Sequence, residues 1–309
     1  MRNLVTVIIP VYNRQSYIIE CLESVLQQTY RPIEVIVVDD GSTDNSISLI
    51  NEFIVKNNIP GVFEIKLLIQ ENSGAPRARN YGYEQSKGKY IQWLDSDDLL
   101  LSNKIASQIK VFSEEIDVVY SRAQFFNEVP TNLLDKYWGR IPEGNSSDYF
   151  EFPWQTMCAL YKKVALQKFG VWKEDLSLSD DWELALRYKI KANVKFLNDV
   201  SSLYRDHNGD RVGNNWSIEK VNSLSSILIN TYTLSDENNL IDSYLIKRYQ
   251  NRLTFCVIQY GALNGKKERK QLISLVNSKN LGSPIIKVLS FFSGLYVNRI
   301  LLKAYSLLK

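Results

Sequence analysis

Several short polar stretches in this chain close apolar runs and carry residue types suited to binding a charged ligand. Pro10-Val11-Tyr12-Asn13-Arg14 ends the first run, Asp39-Asp40-Gly41-Ser42 the second, and Asp95-Ser96-Asp97-Asp98 the fourth. Glu71-Asn72-Ser73-Gly74 follows the third, with Arg77 and Arg79 just beyond it. Acids and arginines gathered at one rim suit a metal-bound, phosphorylated ligand. A hard divalent cation on a diphosphate takes only one or two protein carboxylates, because the phosphates supply other oxygens. Asp, Asn, Ser and Gly are also ordinary turn formers, and any one cluster taken alone reads that way. Recurrence at successive strand ends is what favours the ligand reading.

The elements that must position these groups follow from periodicity. Val5 to Val11 is a continuous, β-branched apolar run, which suits a strand buried on both faces. Residues 17–26 then repeat their apolar positions at helical spacing, with Ile18, Cys21, Leu22, Val25 and Leu26 on one face. The same alternation predicts strands at 34–38, 65–69, 90–94 and 118–120, and helices at 47–55, 76–85 and 103–112. Strand–helix alternation gives an α/β fold, a mostly parallel sheet flanked by helices. In such sheets ligands lie outside the carboxyl ends of the strands. Beyond Gly213 the pattern is helical, over 218–229, 241–263, 267–276 and 285–308. The expected division is therefore a domain at 1–213 and a helical C-terminal region at 214–309.

Taken in order, Val7 through Asn13, Val37 through Asp44, Gly74 through Asn80, and Leu94 through Asp98 resemble motifs of family 2 glycosyltransferases of the GT-A fold. The similarity continues in Ser179-Asp180-Asp181-Trp182-Glu183-Leu184 and Tyr204-Arg205-Asp206-His207, and so covers about two-thirds of the chain. The resemblance implies an inverting transfer of one sugar from a nucleotide diphosphate, a UDP-hexose or UDP-N-acetylhexosamine, to an acceptor hydroxyl. It assigns the donor nucleotide to Pro10, Tyr12, Asn13, Asp40, Arg79, Asp95 and Ser96. Within that set Pro10 to Tyr12 and Asp40 line the nucleobase pocket, and Asp95 takes the ribose side. Asp97, Asp98 and His207 are implied for the metal, Mn²⁺ or Mg²⁺. His207 is the only histidine; a solitary histidine is ordinarily structural or solvated, whereas an imidazole ligand favours Mn²⁺.

The catalytic base is implied at Asp181. Asp180 stands where the family usually has Glu, keeping the charge with a shorter reach, and is the lesser candidate. Ser179, Asp180 and Glu183 also compose an ordinary acidic helix start. Tyr137-Trp138 and Tyr149 through Trp154 offer aromatic faces for acceptor sugars or, equally, for packing.

Composition bounds the alternatives. Of 309 residues, 37 are Lys or Arg and 34 are Asp or Glu, a net charge of +3 that gives no general nucleic-acid signature. The charge is uneven: residues 260–309 hold nine basic residues and one acid, net +8, leaving −5 for the rest. That tail suits an anionic membrane surface or a solvated helical face. Cys21, Cys158 and Cys256 form no CxxC pair, and neither a signal peptide nor a membrane span is predicted. The expectation is a cytoplasmic enzyme, peripheral on the inner membrane, acting on glycan or lipid-linked oligosaccharide acceptors in bacterial cell-surface polysaccharide assembly. A GxGxxG or GxGxR loop is absent after the first strand, and so is QxxRW, which argues against dinucleotide oxidoreductases, nucleotidyltransferases and processive synthases. A non-catalytic nucleotide-sugar binder is the alternative; it would be expected to lack the metal or base carboxylates, and both are present.

Overall fold

β1 (Val5–Val11) is buried along its whole length, and its neighbours explain why. It pairs in parallel with β2 (Ile33–Asp39) on one side and β4 (Tyr90–Trp93) on the other. β2 pairs in parallel with β3 (Phe63–Ile69). α1 (Ile18–Leu26) and α2 (Ser46–Asn57) cross from β1 to β2 and from β2 to β3. α3 (Ala75–Gln85) returns from β3 to β4, past β1. Right-handed crossovers in opposite directions put α3 on the other face of the sheet. Gly82 lets α3 approach closely, since a Cβ there would lie 2.6 Å from Ile8 Cγ2 and 3.1 Å from Val38 Cγ2. The strand order reverses at β1, so the crevice between the ends of β1 and β4 is where this topology leaves room for a ligand.

The computed structural model describes residues 3–206, 216–279 and 281. Beyond β4 the sheet changes character. β5 (Leu99–Leu100) and α4 (Lys104–Val111) lead into β6 (Val118–Phe126), which carries β7 (Leu133–Trp138) as a hairpin. β8 (Ala159–Lys162), followed by α5 (Lys163–Phe169), lies antiparallel between β4 and β6. β9 (Val194–Arg205) runs parallel to β6, and β5 closes the order β3-β2-β1-β4-β8-β6-β9-β5. β6 reaches six residues past the expected strand. β5, β7, β8 and β9 had no clear sequence pattern: the first is two residues long, and β9 is interrupted by Asn198-Asp199 and by register shifts.

The chain divides into two units. The first holds the sheet and comprises residues 1–142, 152–174 and 187–208. The second comprises residues 143–151, 175–186 and 209–309. Its described part contains α7 (Ile218–Glu237), α8 (Ser243–Ala262) and α9 (Lys266–Ser278), as well as the start of α6 (Asp180–Lys191). Ser217 and Asp242 cap α7 and α8 by accepting from the backbone N–H groups of Lys220 and Leu245. α7 runs eight residues past its expected end, and within it Thr231 and Thr233 turn their hydroxyls back to the carbonyls of Ile227 and Ile229. The expected helix at 285–308, and the division point at 213, lie outside the described residues. Among the described residues no helix is long and apolar enough to cross a membrane.

Candidate active site

The first unit gathers most of the predicted site residues at one rim of the sheet. After β1 the chain turns through Asn13, at φ +52°, and is stitched to the loop after β2. The Asn13 N–H donates to Ser42 Oγ at 2.9 Å, and Asn13 Oδ1 accepts from the Thr43 N–H at 2.8 Å. Arg14 and Gln15 add bonds from their N–H groups to Ser46 Oγ and Asp44 Oδ2. Pro10 is buried, whereas Tyr12 is exposed beyond the strand end.

The two acids after β2 divide their work. Asp39 Oδ1 accepts from the N–H groups of Gly41 and Ser42, shaping the turn. Asp40 reaches the loop after β3: Oδ1 accepts from Gln70 Nε2 at 2.7 Å and the Ser73 N–H at 2.8 Å, and Oδ2 from the Gly74 N–H at 2.8 Å. Gly74 takes φ +90° there, a value only glycine adopts readily, and opens α3. One turn into α3, Arg79 is nearly out of water and its Nη2 lies 2.7 Å from Asp95 Oδ1.

The acids after β4 differ in environment. Asp95 is half-buried and paired with Arg79. Ser96 is buried. Asp97 keeps 18 % of its side chain exposed and faces Arg14 Nε at 3.6 Å. Asp98 is buried, and its Oδ1 accepts from the Arg205 N–H at 2.9 Å. Burial first, then the charges of Asp97 and Asp95, push its carboxyl well above the usual range. Beneath this turn the Cys21 thiol, also buried, donates toward the Asp95 carbonyl; burial first, then the charges of Asp98, Asp97 and Asp95, raise its pKa.

Arg205, at the end of β9, organises the turn from behind. Its Nε donates to the Asp97 carbonyl at 2.9 Å and its Nη1 to the Glu128 carbonyl at 2.7 Å, while Nη2 pairs with Glu20 of α1. The guanidinium carbon also lies 4.4 Å from the Phe126 ring centroid. Sequence reasoning quoted this arginine within a motif but gave it no role, because its partners are up to 185 positions away. Arg14, the ion-pair partner of Asp97, had no assigned role either.

The second unit contains Asp180 and Asp181 in the first turn of α6, beside Glu183. Ser179, just before them, takes φ +60°, a left-handed conformation uncommon for serine. Asp181 is half-buried and its Oδ1 accepts from the Trp182 N–H at 2.7 Å. Trp182 packs edge-on against Phe150, and Phe150 against Tyr249 of α8. Phe150 is thus engaged in packing, as is Trp154 against Tyr120 in the first unit. Trp138 lies against Phe125, Phe152 and Tyr204, and Tyr137 under the Arg122 guanidinium. His207 lies outside the described residues.

Comparison with known proteins follows the same lines. The profile described as "Glycosyl transferase family 2" matches residues 6–169, slightly more than half of the chain. The chain belongs to that family. It is 30% identical over 240 residues to glycosyltransferase GlyG of Streptococcus pneumoniae, covering 68% of this chain and 73% of that protein. It is 32% identical over 282 residues to an uncharacterized glycosyltransferase of Rickettsia felis, covering 89% of this chain but only 44% of that longer protein. Among solved structures, S. aureus TarS 1-349 in complex with UDP-GlcNAc superposes with a TM-score of 0.66 at 20% identity, over 92% of this chain and 83% of that one. Mannosyltransferase PcManGT from Pyrobaculum calidifontis in complex with GDP-Man and Mn²⁺ gives 0.59 at 18% identity, over 98% and 87%. The fold is GT-A.

Proposed function

We propose that this chain transfers one sugar from a uridine-diphosphate sugar to an acceptor hydroxyl, with inversion, in the assembly of a cell-surface glycan or polysaccharide. The observation that carries the reading is the convergence of Asp40, the Arg79–Asp95 pair and Asp97 on the rim where the sheet order reverses, in a member of this family. UDP-GlcNAc in the TarS complex and GDP-Man in the mannosyltransferase complex support a nucleotide-sugar donor.

The donor set fits a hard divalent cation. Asp97 offers a partly exposed carboxylate, and a single protein carboxylate suffices when a diphosphate completes the shell. Buried Asp98 serves instead to hold Arg205. His207 enters only through the resemblance. Mn²⁺ or Mg²⁺, when bound, would stabilise charge growing on the departing diphosphate. Arg14, half-exposed beside Asp97, supplies positive charge for the same phosphates. Asp181, with Asp180 beside it, accepts the proton from the acceptor hydroxyl as its oxygen attacks the anomeric carbon and the bond to the diphosphate breaks.

We extend the reading to the acceptor's location. α9 presents Lys266, Lys267 and Lys270 to solvent at the start of the basic region 260–309. Such a face suits the cytoplasmic surface of an anionic membrane carrying a lipid-linked acceptor.

A panel of UDP-glucose, UDP-galactose, UDP-GlcNAc, UDP-GalNAc and GDP-mannose, each with MnCl₂ or with EDTA, tests the donor. The expected result is raised thermal stability with a UDP-sugar, by about 5–10 °C at a hundredfold excess over Kd. EDTA and Asp97→Asn should each remove most of it. Stabilisation by none of the five, or by GDP-mannose alone, refutes the reading.

A further inference from the structure

We propose that Trp172 is a positioning residue for the donor site, holding the Arg79 guanidinium so that Asp95 presents one oxygen to the ribose. The proposal rests on the nucleotide-sugar reading above and adds a residue that no motif of the sequence singled out.

The geometry begins with Arg79. Its guanidinium carbon lies 4.1 Å from the Trp172 ring centroid, and its Nη2 lies 2.7 Å from Asp95 Oδ1. The edge of the cation is thus directed at the carboxylate while a face rests on the indole. A guanidinium removed from water is held in one orientation only when edge and face are both engaged; indole is the strongest of the aromatic faces for this purpose. With Oδ1 of Asp95 taken by Arg79, Oδ2 is the oxygen available to a ligand hydroxyl.

The indole is itself fixed from several directions. Asn80, next to Arg79 on α3, donates from Nδ2 to the Trp172 carbonyl at 2.9 Å and accepts from the Trp172 N–H at 3.1 Å. The same Nδ2 lies 2.8 Å from Glu174 Oε1. On the other side Arg187 donates to the carbonyls of Phe169, Gly170 and Val171 at 2.6–2.8 Å. Trp93, at the end of β4 and two residues before Asp95, meets the indole edge-on with centroids 5.3 Å apart. Trp172 is only 4% exposed. Simple space-filling would not require its backbone to be clasped by the residue adjacent to Arg79. The clasp fixes the distance between the indole and the helix that carries the cation.

The test is titration of the full chain with UDP in MnCl₂ by calorimetry. Trp172→Leu, which keeps apolar bulk but no aromatic face, should raise the UDP Kd about tenfold, the scale of losing a desolvated cation–aromatic contact. Trp172→Phe keeps a face in the same space and should stay within about threefold of wild type. Wild-type affinity in the Leu variant overturns the proposal, and so does a Phe variant as weak as the Leu variant. If Leu at this position prevents folding, Trp172→Met, which also lacks an aromatic face, carries the test with the same expected loss of about tenfold, and wild-type UDP affinity in it overturns the proposal. Failure of the wild-type chain to bind UDP would instead bring down the donor reading itself, with no variant needed.

Discussion

Replacing Arg205 with Met should damage both stability and donor binding, and the structure gives the scale. The side chain is 4% exposed, so its bonds are not exchanged for water in the folded state. Met fills similar space but leaves the Asp97 carbonyl, inside the turn, without its donor, at about 1–3 kcal/mol. The Glu128 carbonyl sits on an exposed hairpin where water can replace the bond, so its loss costs about 0.5–1 kcal/mol. Glu20 is more than a third exposed and can turn to solvent, and its pair adds no more than about 1 kcal/mol. Less the small gain from burying the thioether, the sum is about 1–4 kcal/mol, or a fall in Tm of about 2–15 °C. Asp97 loses the anchor behind its backbone, so Mn²⁺-dependent UDP affinity should fall about tenfold or more. Arg205→Lys keeps the charge for Glu20 but cannot reach three acceptors, and should lie between Met and wild type. Urea denaturation and UDP titration read the two effects separately. A Met variant with wild-type Tm and wild-type UDP affinity would refute the reasoning.

Other expectations are simpler. Asp181→Asn should abolish sugar transfer in a product assay while UDP binding stays within about twofold, since the residue is assigned to the acceptor proton and not to the donor; full transfer by the variant would remove the assignment. Lys104, at the start of α4, is fully buried with no hydrogen-bond partner for Nζ, and burial lowers its pKa well below the usual 10.5. Between the lowered folded value and 10.5 the unfolded chain therefore binds more protons than the folded one, and stability rises with pH through that window. Lys104→Met should stabilise by about 1–3 kcal/mol at pH 7, with the gain shrinking as pH approaches 10; a pH-independent difference in urea midpoints would contradict this. Co-sedimentation with anionic vesicles should be strong at low salt and lost in the combined variant Lys266→Glu, Lys267→Glu, Lys270→Glu; unchanged binding would exclude this face of α9.

The first four strands and the helices between them were legible because each repeats a short period that the chain enforces locally. β1 and β2 read as continuous apolar runs and are buried throughout. The polar groups after β1, β2 and β4 were visible for the same reason, since a strand's end is where its apolar run stops. What those groups do was less legible. Asp95, Asp97 and Asp98 are near neighbours in sequence, yet one is paired with Arg79, one faces Arg14 and remains partly exposed, and one is buried against a backbone N–H.

That division of labour was decided by partners brought from far along the chain. Arg205 reaches Asp97 and Glu20 only because β9 runs parallel to β6 and pairs with β5, beside the turn after β4. Trp172 reaches Arg79 only because Asn80 and Arg187 grip the segment between them. Sequence alone determined the α/β alternation, the family and the residue types at the strand ends, all of which depend on neighbours a few positions apart. Which acid is paired, which is buried and which faces solvent depended on strand register and helix packing, because burial and partner distance exist only once distant segments meet.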